Sequence, residues 1–211
     1  MDLAGVKHGD RVVIVGTSGF AMELAGLLLD LGVDVRGCVG PTAPSQASSL
    51  PYLGGDTVIA DWLGELMLVA IGEPELRRQL FERITTAGGR VAGFIHPAAY
   101  VSAAVSIAEG TLIYPNATVH AGVTLGRGVL VNSNATIGHE ASIGAFVNVG
   151  PGVSLGGRVR IGDGVYIGIG ASMIEGVTVA AGAVLGAGAV VVRDCVPAGT
   201  YIGVPARRKV S

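Results

Sequence analysis

The chain has 211 residues with 14 basic and 16 acidic side chains, a near balance with no basic footprint for nucleic acid. Half of the residues are apolar although 35 are Gly, so this is not a disordered Gly-rich tract. No apolar run reaches the roughly 18 residues that a membrane helix needs. The first ten residues are mixed and polar, which argues against a secretory signal. Cys38 and Cys195 lie far apart without metal-ligand spacing. A reducing cytoplasm and inert thiols are the expectation.

The length allows one large domain or two modest ones. Arg11–Val15 is an apolar, β-branched run that ends in Gly16-Thr17-Ser18-Gly19. Residues 20–31 then carry helical apolar spacing, closing at Gly32, and residues 33–39 read as a second strand. This is a strand–Gly turn–helix–strand unit, whose amides at the helix start can hold an anion. The G-x-x-G spacing falls short of the full dinucleotide fingerprint. Residues 40–55 are rich in Pro, Ser and Ala and read as a surface loop, and a short helix fits residues 56–64. Residues 66–71 form a buried strand. Pro74 suits the first turn of a helix running to about Ala87, and residues 91–95 add another strand. Strands alternating with helices give a small α/β domain over residues 1–94 with a mainly parallel sheet. Ligands in such domains sit beyond the strand carboxyl ends, here at Gly16, Ser18, Gly19 and Gly72.

From Ile95 to Val191 an aliphatic residue recurs at every sixth position without a break, and a small or Val-sized residue follows four places later. A period of six is neither helix nor simple strand. It fits a parallel β-helix over residues 95–196, whose stacked coils share one core. The pattern resembles the left-handed, three-faced hexapeptide β-helix of bacterial acyltransferases. Three hexads make an 18-residue coil, so 17 hexads give a prism roughly 27 Å long. His139, Gly157 and Glu175 then occupy one outward column near a corner, and Pro151, Ile169 and Ala187 another. Prisms of this kind typically associate as trimers. Residues 197–211 form a C-terminal tail.

The His-Glu pair His139-Glu140 is the only one in the repeat. Acyl transfer from a thioester needs a group to take the proton of the attacking amine or hydroxyl, and donors for the oxyanion. A neutral imidazole suits the first task. An adjacent carboxylate orients the ring and favours the imidazolium that forms, as in a catalytic triad. We therefore read His139 as general base and Glu140 as its orienter. Gly157, one coil on, offers an unobstructed backbone amide for the oxyanion. His96, His120 and His139 are spaced by 24 and 19 residues and do not stack, so no metal site is expected.

Gly16-Thr-Ser-Gly19, Ala70-Ile-Gly72 with Arg77, Ile95-His-Pro97, Asn132 followed by His139-Glu140, Gly150-Pro-Gly152, Leu155-Gly-Gly157 and Gly203-Val-Pro-Ala206 together resemble the NeuD/PglD-like sugar acetyltransferases. That resemblance implies an N-terminal domain that binds a nucleotide-linked amino sugar, and a β-helix that binds acetyl-CoA between subunits of a homotrimer. It implies Asn132 near the sugar, and Ile169 and Ala187 along the CoA arm. Asn148 falls where members often carry a His near the acetyl group. Arg207, Arg208 and Lys209 either meet the CoA phosphates or form a solvated basic end. The sequence departs from the family at Phe20-Ala21, where a His usually follows Gly19, and at Gly40-Pro41, where two Asp usually stand. The expected activity is acetyl transfer from acetyl-CoA to the amine of a nucleotide-linked amino sugar. A sugar O-acetyltransferase of the sialic-acid type and a non-catalytic trimeric scaffold are the alternatives.

Overall fold

Arg11–Val15 (β1) places four consecutive β-branched residues, Val12 to Val15, in the centre of a sheet where none retains exposed surface. The computed structural model describes residues 5–44 and 50–209, and the chain divides into two compact units between Gly93 and Phe94. In the first unit β1 is followed by a helix, Gly19–Asp30 (α1), whose Ala21, Leu24, Ala25 and Leu28 give it one buried stripe. Asp34–Val39 (β2) pairs parallel with β1. Tyr52–Gly54 (β3) pairs with β2, so the stretch 40–55 is not all loop: Tyr52 and Leu53 suit an edge strand, and the Tyr52 hydroxyl donates to the Gly40 carbonyl at 2.9 Å. The short helix expected after it is a 3-10 helix, Asp56–Trp62.

Leu66–Val69 (β4) joins the other side of β1, and Pro74–Thr86 (α2) leads to Arg90–Val91 (β5). Pro74 stands in the first turn, and the Glu73 carboxylate caps it by accepting from the amides of Glu75 at 2.9 Å and Leu76. The sheet order is β3-β2-β1-β4-β5. The chain thus winds outward from β1 first to one side and then to the other. The crevice between the ends of β1 and β4 is a topological switch point, where open α/β sheets bind ligands.

Residues 91–95 do not make the single strand their apolar character suggested. Arg90–Val91 closes the first sheet, while Phe94–Ile95 opens the second unit by pairing with Leu112–Ile113. The small pair Ala92-Gly93 separates the two strands, and Phe94 obeys the 18-residue register instead of continuing the first sheet.

The second unit is a left-handed parallel β-helix. Each inward aliphatic from Ile95 to Val191 is the last residue of a two-residue strand, and every strand up to Ser172–Met173 pairs with the one 18 residues later, as in Thr118–Thr136–Ser154–Ser172. The strands make three sheets, one per face. One continuous core runs from Ile113 through Val131, Val149, Ile167 and Leu185 to Tyr201. Thr200–Ile202 extends one face by pairing with Val184–Leu185, and Arg207–Arg208 folds back antiparallel on it.

From Ile107 to Leu185, the residue three after each inward aliphatic turns the corner with a left-handed φ. Gly fills most of these corners and Asn fills two, Asn116 and Asn134. Three corners carry other residues: Glu140 (φ 58), Phe146 (φ 57) and Arg158 (φ 56). A left-handed conformation costs such residues roughly 1–2 kcal/mol relative to Gly.

Candidate active site

The strand Thr136–Ile137 ends at Gly138, and the chain turns through His139 and Glu140. Coil stacking fixes the height of this corner. The Glu140 amide donates to the Ala121 carbonyl one coil before at 2.9 Å, and the Arg158 amide donates to the His139 carbonyl at 2.8 Å. Gly138 must be Gly, because a Cβ there would lie 2.5 Å from the Gly157 nitrogen. A Cβ on Gly157 would lie 2.5 Å from His139 Nε2. The imidazole therefore rests against the Gly157 backbone in space that any side chain would fill. Among the described residues, no backbone carbonyl accepts the Gly157 N–H.

The other ring nitrogen, His139 Nδ1, lies 3.2 Å from Glu140 Oε2. In the tautomer that places the proton on Nδ1, this nitrogen donates to the carboxylate and Nε2 carries the free lone pair. The hydrogen bond from His139, and then that from Arg158, hold the Glu140 carboxyl below the usual carboxylate range. Arg158 Nη1 reaches the same Oε2 at 3.5 Å, and its Nη2 pairs with Glu175 Oε1 in the following coil. All four side chains are about half exposed. The arrangement can accept a proton at Nε2, stabilise the resulting imidazolium through Glu140, and offer the Gly157 amide to a developing oxyanion. Arg158 is a neighbour of the pair that the sequence reading does not include, and Glu175, placed by the repeat in the outward column of His139 and Gly157, reaches the pair only through it. The 18-residue register carries the signal, since it stacks opposite charges at 140 and 158.

Asn132, Asn148, Ile169 and Ala187 lie elsewhere on the prism. They belong to, or directly follow, strands of the eight-stranded sheet, whereas His139 and Gly157 follow strands of the six-stranded sheet. Asn132 Oδ1 accepts from the Ser133 amide at 2.7 Å, and Asn148 is buried within its strand. Ile169 is 63% exposed, an apolar side chain in open solvent one coil above Pro151, and the exposed Ala187 follows one coil further on. A single chain thus carries the base on one corner and the expected CoA column on another.

In the first unit, Gly16 (φ 135) occupies the end of β1, and a Cβ there would lie 2.6 Å from the Ala70 carbonyl oxygen after β4. The two loops at the switch point touch through backbone, and only Gly permits it. Ser18 precedes α1 without capping it by its side chain, and Gly19 and Gly72 face open space. Arg77 is buried to 1% exposure, and its Nη1 donates to the carbonyls of Ile71 at 2.7 Å and Gly72 at 3.1 Å. Burial pushes its pKa down to about 9, with Glu73 opposing, so the guanidinium stays charged at neutral pH and anchors the loop that carries Gly72. Both cysteines are buried, which raises their thiol pKa values.

Two family models match the sequence: the PglD N-terminal domain over residues 11–84 and the bacterial transferase hexapeptide (six repeats) over residues 104–139. No curated protein matches the sequence. Among solved structures, PerB from Caulobacter crescentus in complex with CoA and GDP-perosamine is 32% identical, with 95% of this chain and 97% of that chain covered and a TM-score of 0.88. The acetyltransferase domain of PglB from Neisseria gonorrhoeae in complex with acetyl coenzyme A is 31% identical, covering 95% and 100%, with a TM-score of 0.86. WeeI from Acinetobacter baumannii, at 24% identity, 93% and 98% coverage and a TM-score of 0.83, shares the fold.

Proposed function

The chain belongs to the NeuD/PglD-like sugar acetyltransferases, and from that premise we propose that it transfers the acetyl group of acetyl-CoA to the amine of a nucleotide-linked amino sugar, with His139 as general base. The observation that carries this reading is the His139 imidazole, oriented by Glu140 through Nδ1 and set by Nε2 against the Gly157 backbone. The acceptor amine attacks the thioester carbonyl as His139 Nε2 takes its proton. The carbonyl oxygen becomes an oxyanion held by the Gly157 N–H. Collapse breaks the C–S bond, and the CoA thiolate takes the proton from the imidazolium. Glu140, ionised throughout, stabilises the cation between these steps. The loops at Gly16–Gly19 and Gly72 hold the nucleotide, with its diphosphate at the amides that open α1.

The protein works as a homotrimer in this reading. The base stands on one corner of the chain and the column of Pro151, Ile169 and Ala187 on another, with Asn148 in a strand of the same sheet as that column, and a neighbouring copy brings this face to the first chain's His139. Asn132 lies near the sugar. Incubation with acetyl-CoA and a panel of nucleotide 4-amino sugars, followed by free-thiol release, tests the proposal. Release with at least one acceptor is expected, and its loss in His139→Ala. Release equal in both proteins, or with no acceptor of the panel, rejects it. Light scattering should give about three times the 21.1 kDa chain mass; a monomer mass rejects the shared site.

A further inference from the structure

Most left-handed corners of the β-helix are Gly or Asn, and the three exceptions differ in what offsets their strain. Phe146 is 1% exposed and its ring covers Gly128, so burial of a large apolar side chain offsets the backbone cost. Glu140 and Arg158 have no such compensation, with side chains 61% and 54% exposed. The two stack on each other, 18 residues apart, in successive coils. An exposed ion pair adds little to stability, and a left-handed Arg subtracts from it. Folding therefore does not account for Arg158.

Its contacts do. Arg158 reaches the same Glu140 oxygen that His139 reaches, and Glu175 holds its other nitrogen from the coil beyond. We propose that Arg158 is a positioning residue of the acetyl transfer: anchored by Glu175, it fixes the Glu140 carboxylate against His139 and offsets part of its charge at the ring. This rests on the reading of His139-Glu140 as the catalytic pair. The groups facing Glu140 are His139 on its own corner and Arg158 from the next coil, while the preceding coil presents Gly122, which has no side chain to titrate. Without the guanidinium the carboxylate acts undiminished on the imidazolium, so a higher pH is needed to free the base.

The test measures kcat, KM and Tm for Arg158→Gln, Arg158→Lys and Arg158→Gly, and for Arg158→Gln in a Glu140→Gln background. Arg158→Gln should lower kcat by ~2–5-fold with KM for acetyl-CoA unmoved, and shift the acid limb of kcat/KM upward by ~0.2–0.7 pH unit, the scale of one exposed charge pair. Arg158→Lys should recover part of kcat. Arg158→Gly should lower kcat while Tm holds or rises, because the corner is relieved. In the Glu140→Gln background Arg158→Gln should cost nothing more. An equal loss in both backgrounds, or unchanged kcat and acid limb with a lowered Tm, would overturn the proposal while leaving the catalytic pair standing. Wild-type kcat in Glu140→Gln itself would overturn the reading of the pair, and this proposal with it.

Discussion

The two halves of the chain build their sites in opposite ways. The β-helix repeats one backbone solution at most of its corners, and the chemistry we propose stands where side chains interrupt that monotony, at His139, Glu140 and Arg158. The α/β unit offers almost no side chains at its switch point. Gly19 and Gly72 leave open space where side chains would stand, and the Arg77 guanidinium is spent beneath the loop on the carbonyls of Ile71 and Gly72. In the proposed reading, catalysis is concentrated in a few replaceable atoms, whereas recognition is spread over loop shape. Substitutions in the first half should break the shape of a loop; those in the second should break a proton transfer.

The largest effect should come from His139→Ala. We expect kcat to fall by about 10²–10⁴, the usual contribution of a positioned acid–base group, with KM for acetyl-CoA nearly constant and Tm unchanged, since the half-exposed ring leaves no core cavity. Glu140→Ala should cost less, and the two losses should not add, because both act through one proton. Steady-state kinetics beside a thermal melt decides this, and a normally melting His139→Ala with wild-type kcat would leave His139 only a positioning role.

Gly157→Ala comes next. Its Cβ would meet the imidazole at 2.5 Å, driving the ring from its seat and crowding the oxyanion position. A fall in kcat of about 10²–10³ is expected, as for loss of one oxyanion donor, with Tm within a few degrees of wild type. An unchanged kcat would remove Gly157 from the site.

Gly16→Ala should divide the two halves most clearly. The new Cβ would press on the Ala70 carbonyl at 2.6 Å in a backbone region that favours Gly, a strain of about 1–3 kcal/mol. KM for the acceptor should rise and the α/β unit should lose stability, while the β-helix retains its melting and its binding of CoA, read by separate calorimetric transitions and CoA titration. A loss of CoA binding in step with acceptor binding would show that the division is wrong.

The smallest effect concerns pH. Hydrogen bonds from His139 and Arg158 lower the Glu140 pKa, so its charge is present above the ordinary carboxylate pKa and is lost only as pH falls through the lowered value. Once the protonation of the acceptor amine is divided out, the acid limb of log kcat/KM should therefore rise with a slope of one above pH ~5. A slope of two after that correction would mean that Glu140 titrates together with the base.

The hexad register was legible residue by residue, because each inward position admits only an aliphatic side chain and any slip would expose it. The same periodicity set His139 over Gly157. Arg158 was harder, because its partner lies 18 residues away and its φ is not written in its own identity. The first half is less periodic. Tyr52–Gly54 was hidden by its Pro-, Ser- and Gly-rich surroundings, and the join at Ala92-Gly93 was hidden inside an apolar run, since nothing local says which sheet Phe94 will enter.

The 18-residue pairing also behaves as a punctuation of the gene. Removing or adding 54 nucleotides within the repeat excises or inserts one whole coil, and every later residue keeps its face. A change of 18 nucleotides keeps aliphatic residues inward but rotates everything downstream by one side of the prism, parting Glu140 from Arg158 if it falls between them. A single added codon turns the core outward from that point on. The β-helix can therefore grow or shrink only in whole coils, and only where the break spares the corners at 139–140 and 157–158.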